Sequence, residues 1–98
     1  METKENKKIH EVKSWCYLYS AAISGIKTHD FRDMTERDYK IGDYIKFKEF
    51  DQTIGKFTGR EAMFEITYVT DRNTPCAMSS CALGQNYGVL SIKLIERY

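Results

Sequence analysis

The chain is short of several things that usually declare a function. It has one proline, one tryptophan and three cysteines, and 15 Lys and Arg stand against 14 Asp and Glu, for a formal net charge of +1. That balance excludes the strongly basic domain on which the simplest nucleic-acid argument rests, so any hold on phosphate has to come from a local patch. The odd cysteine count, at positions 16, 76 and 81, does not suit a secreted disulfide framework. Cys76 and Cys81 have a zinc-knuckle-like spacing, but structural zinc takes four ligands and no second Cys/His pair is suitably placed. No metal and no cofactor are expected. There is no apolar run near the ~20 residues that cross a bilayer, and the first residues lack the apolar core of a signal peptide. A cytoplasmic protein with no membrane association is the expectation. Internal repeats and low-complexity stretches are also missing.

What is present suffices for a packed domain. Hydrophobic residues make up 42% and aromatic residues 13% of 98 positions, enough for one core and too little chain for a second. Residues 1–8 are polar and are expected to form a disordered tail, leaving 9–98 as a single domain. Ile9 to Lys13 suits a short strand. Ser14 reads as a helix N-cap, followed by an apolar stripe of Trp15, Leu18, Tyr19, Ala22 and Ile23 at helical spacing. Gly25 supplies the stop, so a helix is expected from about Ser14 to Ser24, with Trp15 in the core. Tyr44 to Phe50 alternates as a strand, Asp51 to Gly59 reads as a hairpin loop, and Ala62, Phe64, Ile66 and Tyr68 share one face of the next strand. Asp71 to Asn86 reads as a long loop with room for one helical turn, and Leu90, Ile92 and Leu94 mark a closing strand. One or two helices with about five strands on short turns point to a mainly β fold, a small barrel whose closure removes exposed edges.

The stretch Gly25-Ile26-Lys27-Thr28-His29-Asp30-Phe31-Arg32 stands out. Strand alternation puts Thr28, Asp30 and Arg32 on one face and His29 and Phe31 on the other. Charged side chains in such a row are rarely buried unless paired. A site for a polar, anionic ligand is one reading; a solvated strand face is the other, and spacing alone favours it.

These residues, with others in the same order, resemble the ASCH branch of the PUA-like superfamily, in its short bacterial and phage-associated group. The resemblance rests on His10-Glu11-Val12-Lys13, the Gly25-to-Arg32 strand, Arg37-Asp38-Tyr39-Lys40-Ile41-Gly42-Asp43, Phe57-Thr58-Gly59-Arg60-Glu61, Ile66-Thr67-Tyr68-Val69 and Tyr87-Gly88-Val89-Leu90-Ser91-Ile92. It implies a PUA-like β-barrel with a cleft between the helix and the strand carrying Lys27, and a ligand that is RNA or a nucleotide. Some members hydrolyse acylated nucleosides with the lysine of a glycine–x–lysine motif, the position of Lys27. Asp30 stands here where those hydrolases carry threonine, and no glutamate in Asp71 to Asn86 matches their distal one.

The candidate ligand-binding set is therefore His10, Lys13, Lys27, Thr28, Asp30, Arg32 and Tyr87. Lys27 and Arg32 offer donors to phosphate, the arginine with a two-pronged fork. By composition Tyr39, Tyr44, Tyr87 and Trp15 are the candidates for stacking on a base; Trp15 is assigned to the core, and Tyr87, which borders the long loop, is preferred, with hairpin packing as its alternative role. Lys46 and Lys48 would extend a basic strip, while Arg60 and Glu61 are read as stabilising the barrel rim. The expected function is RNA or nucleotide binding by a monomer. A small amidohydrolase, with Asp30 taking a proton from water and Lys27 holding the oxyanion, is the first alternative, and a protein-interaction module the second.

Overall fold

A computed structural model describes residues 8–71, 73–75 and 86–98. Its elements are β1 (Ile9–Trp15), α1 (Cys16–Ile23), β2 (His29–Asp33), β3 (Tyr44–Asp51), β4 (Lys56–Thr70) and β5 (Tyr87–Arg97). The five strands form one sheet in the order β1-β3-β4-β5-β2. β1 runs parallel to β3, and the other three pairings are antiparallel. A parallel neighbour needs a crossover; here α1 and β2 intervene, and α1 packs against β3, β1 and β5. The described residues are mainly β with one short helix, and the sheet curls strongly into a half-barrel, a form compatible with a PUA-like fold. Among the described residues, no helix is long and apolar enough to cross a membrane.

Full closure of the barrel, expected from the number of strands, is not what the strands do. β1 and β2 are the two ends of the strand order, and no ladder joins them. β2 is only five residues long and reaches its one partner, β5. Side chains cross the gap instead. Arg32 donates from Nη2 to the Lys13 carbonyl at 3.3 Å, and Arg37 donates from Nη2 to the Glu11 carbonyl at 3.1 Å.

The helix starts later than the apolar stripe suggests. β1 pairs with β3 as far as Trp15 opposite Phe50, so Ser14 belongs to the strand, with its side chain turned inward and buried. Trp15, which the stripe places in the core, is 44% exposed and is the residue before the helix, with no side-chain cap. Tyr19 and Ala22 carry the buried face of α1. Gly25 stops it as expected, at φ +85 with its N–H on the Ala22 carbonyl. β1 splits its apolar residues between its faces: Val12 points in beside His10, and Ile9 points out.

The core consists of Val12, Tyr19, Ala22, Tyr39, Ile45, Phe47, Ala62, Phe64, Ile66, Val69, Leu90 and Ile92. Alternation in β3 and the first half of β4 delivers these residues as read from sequence. A register shift between Ile66 and Tyr68 then changes the phase, so Val69 is buried and Tyr68 exposed. Leu94, beyond the buried pair Leu90 and Ile92, is 37% exposed. The turn after β3 is shorter than Asp51 to Gly59, since β4 begins at Lys56. The tail expected over residues 1–8 lies outside the described residues apart from Lys8, as do Cys76, Cys81 and any helical turn near them.

Glu49 is a carboxylate buried away from the gap. Glu49 accepts from Arg60 Nε at 2.7 Å, Arg60 Nη2 at 2.9 Å and Thr58 Oγ1 at 2.6 Å, which clasps β3 to β4. The Arg60 hydrogen bonds hold the Glu49 carboxyl below its ordinary range, against the opposing effect of burial. A lowered folded-state value stabilises above the ordinary carboxylate range and is lost as pH falls through it. Glu49→Gln should therefore flatten the acid limb of the stability–pH curve, measured by denaturant melts between neutral and acidic pH. In the core, Ile45→Ala should cost about 2–5 kcal/mol by the same measurement, and Leu18→Ala less, because Leu18 is only half-buried.

Candidate functional site

The charged row of β2 faces inward. Asp30 is buried, while His29 and Phe31 lie on the exposed face. Burying a carboxylate is costly unless it is paired and hydrogen-bonded, and both of its oxygens are used: Oδ1 accepts from Lys27 Nζ at 3.3 Å and Oδ2 from Arg32 Nε at 2.5 Å. Lys27 also donates to the His29 carbonyl. The two cations that sequence placed beside one strand face are thus held by a single acid. The solvated-face reading does not describe this row, because the side chains of Lys27, Asp30 and Arg32 are only 16%, 12% and 21% exposed.

Arg32 continues from Asp30 to the β1 carbonyl, so its guanidinium spans the gap between β1 and β2. Above it runs a shallow groove in two adjoining depressions. One, of about 370 Å³, is lined by Glu11, Val12, Lys13, Arg32, Glu36, Arg37, Lys48 and Phe57. The other, of about 270 Å³, is lined by Lys13, Ser14, Trp15, Leu18, Asp30, Phe31 and Arg32. Lys13 and Arg32 belong to both, which joins them. The larger depression holds four cations and two carboxylates, a local excess of two on a chain whose net charge is +1. Glu11 is paired with Lys48 at 3.6 Å. Three exposed aromatic residues border the groove: Phe57, Trp15, and Phe31, which is stacked on Tyr87 with ring centroids 5.6 Å apart.

Beneath the arginines lies Tyr39, 4% exposed, whose hydroxyl has no hydrogen-bond partner among the described residues. Burial raises its pKa, against the pull of Arg32 and Arg37. An orphaned buried hydroxyl is uncommon in a folded protein.

The sequence candidates divide accordingly. Lys13 and Arg32 line the groove, and Asp30 forms part of its floor. Lys13 also sits over the Phe50 ring, 4.4 Å from its centroid. Lys27 is tied to the groove through Asp30 and does not line it. Tyr87 supports Phe31 from outside the groove. Thr28 is exposed, and its carbonyl accepts the Ile92 N–H that extends the β2–β5 edge. His10 is turned into the interior, where Nε2 meets Asp43 Oδ2 at 3.0 Å and the ring packs on Tyr39. Of the basic strip, Lys48 reaches the groove, while Lys46 pairs with Glu61 at 3.8 Å elsewhere.

Sequence reasoning missed Phe31 and Arg37 as groove residues, and it set Trp15 aside for the core. Arg37 lay in view within the arginine–aspartate–aromatic turn. Trp15 would have been found by extending the period-two pattern of β1 two residues further. Asp30→Ala should destabilise the fold by about 3 kcal/mol, since it leaves Lys27 and Arg32 partly buried without their acid. Urea melts of the variant and the wild type check this, and an unchanged midpoint would show that the triad contributes nothing to the fold.

No curated protein matches the chain. A family described as a domain of unknown function, DUF3850, matches residues 9–92, from the first residue of β1 into β5. That span contains every residue of the groove, and the chain belongs to this family.

Proposed function

We propose that the domain binds RNA or a nucleotide-containing ligand in the groove between β1 and β2. The observation that carries the reading is the meeting, in one groove, of an excess of cationic side chains with the exposed faces of Trp15 and Phe31. Cations position a phosphate backbone without reading sequence, and aromatic faces stack on unpaired bases. The resemblance to ASCH domains points to the same ligand class and the same strand. Binding is favoured over hydrolysis because Lys27 Nζ is committed as a donor to Asp30 and to the His29 carbonyl. A lysine so engaged serves as a donor, not as a proton acceptor.

Trp15 is the only tryptophan, so intrinsic fluorescence reports directly on the groove. Single-stranded RNA should quench it at low salt, with the affinity falling as salt rises because counterions are released. Lys13→Ala and Arg37→Ala, both at exposed positions, should each weaken binding by about 1 kcal/mol, roughly fivefold. The loss should shrink as salt rises. Absence of binding at low salt would sink the proposal; turnover of an acylated nucleoside that Lys27→Ala abolishes would replace it with the hydrolase.

A further inference from the structure

The two arginines that bridge the gap do so at a defined interval. Arg32 is anchored on the Lys13 carbonyl and Arg37 on the Glu11 carbonyl, two residues apart on the same edge of β1. Strand geometry sets those anchors about 6.6 Å apart, the distance that separates neighbouring phosphates on an extended polynucleotide. We propose that Arg32 and Arg37 form a clamp for two successive phosphates of a single strand lying along β1, so that the groove selects linked nucleotides over mononucleotides. This inference rests on the nucleic-acid reading of the groove and adds the length of ligand it requires.

The anchors leave the guanidiniums able to bind. An arginine has five N–H donors. Arg32 uses Nε on Asp30 and one Nη2 hydrogen on Lys13, and Arg37 uses only one Nη2 hydrogen, on Glu11. Three donors remain on the first and four on the second, and the backbone and Asp30 hold both forks in place before a ligand arrives. Preorganised donors of this kind bind phosphate without the cost of ordering a free side chain. The same two bonds also argue against a peptide adding to the edge of β1, because they occupy the carbonyls a docking strand would use. Trp15 and Phe31, in the adjoining depression, are placed to receive the base attached to one of the phosphates.

A length series separates this clamp from the reading beneath it. Wild-type protein is titrated at low salt with uridine 5′-monophosphate, with the 5′-phosphorylated uridine dinucleotide, and with that dinucleotide carrying an uncharged methylphosphonate linkage. The charged dinucleotide should bind roughly tenfold more tightly than the monophosphate, and the methylphosphonate should lose that gain. Arg37→Ala should bind the dinucleotide no more tightly than it binds the monophosphate, whatever its remaining affinity for the monophosphate. Arg37→Lys, which keeps the charge and loses the fork, should recover only part of the gain. The clamp is overturned if the dinucleotide binds no better than the monophosphate, or if the methylphosphonate keeps the gain, which would assign it to the second base. In either case nucleotide binding in the groove would stand. No binding by any of the three, nor by a longer single strand, overturns both.

Discussion

Asp30 is a carboxylate on an inward-facing strand position, and the β1–β2 side of the molecule is arranged around the need to satisfy it. Its desolvation is offset only because a cation reaches each oxygen, Lys27 from the start of the strand and Arg32 from two residues further on. Arg32, held at Nε, has its far end turned toward β1, where it meets the Lys13 carbonyl. The acid thus orients the side chain that spans the gap. Gly88 opposite Arg32 assists from the other flank: a Cβ there would come 2.9 Å from the Met34 side chain and 3.0 Å from the Thr70 carbonyl oxygen, so its absence lets Met34 and β4 lie close against β5.

This arrangement explains why the sheet stops at a half-barrel. Ladder closure would require β2 to continue alongside β1, but β2 ends at Asp33, where Asp33 caps a turn through the Thr35 N–H and hydroxyl. Beyond the turn, Arg37 reaches back to β1 one step further along from Arg32. Guanidiniums occupy carbonyls that a strand would otherwise have used. An open seam bridged by side chains presents donors to solvent, whereas a hydrogen-bonded ladder would have consumed the backbone groups and left no groove.

Much of the fold was legible because period-two alternation is a direct consequence of pleating. β3, the first half of β4 and the facing of β2 all followed from it, and Gly25 marked the end of the helix through its left-handed conformation. The failures came where tertiary pairing overrode local pattern. Ser14 is a good helix cap by residue type, yet pairing with β3 keeps it in the strand; Tyr68 and Val69 exchange faces at a bulge that no local signal announced. The site was legible in part. Asp30 and Arg32 stood out as a pair, but that Asp30 binds both cations depends on a loop closing back after α1. The local excess of cations in the larger depression was hidden by a net charge near neutrality, because acids outside that depression balance the total.

The arginines themselves form a graded series that separates fold from site. Arg60 presents Nε and Nη2 together to the two oxygens of a buried glutamate, and its fork is spent on joining β3 to β4. Arg32 divides its donors between a buried acid and a backbone carbonyl, so it belongs to both structure and groove. Arg37 touches a backbone carbonyl alone; among the described residues no carboxylate pairs with it, and it remains exposed. A neutral acceptor positions a guanidinium without cancelling its charge, whereas a carboxylate does both. The guanidinium that no ion pair engages is therefore the one on which structural demand is weakest, at the end of the seam nearest Arg37. An anion approaching β1 meets uncompensated charge there first and the shared, more deeply held Arg32 second.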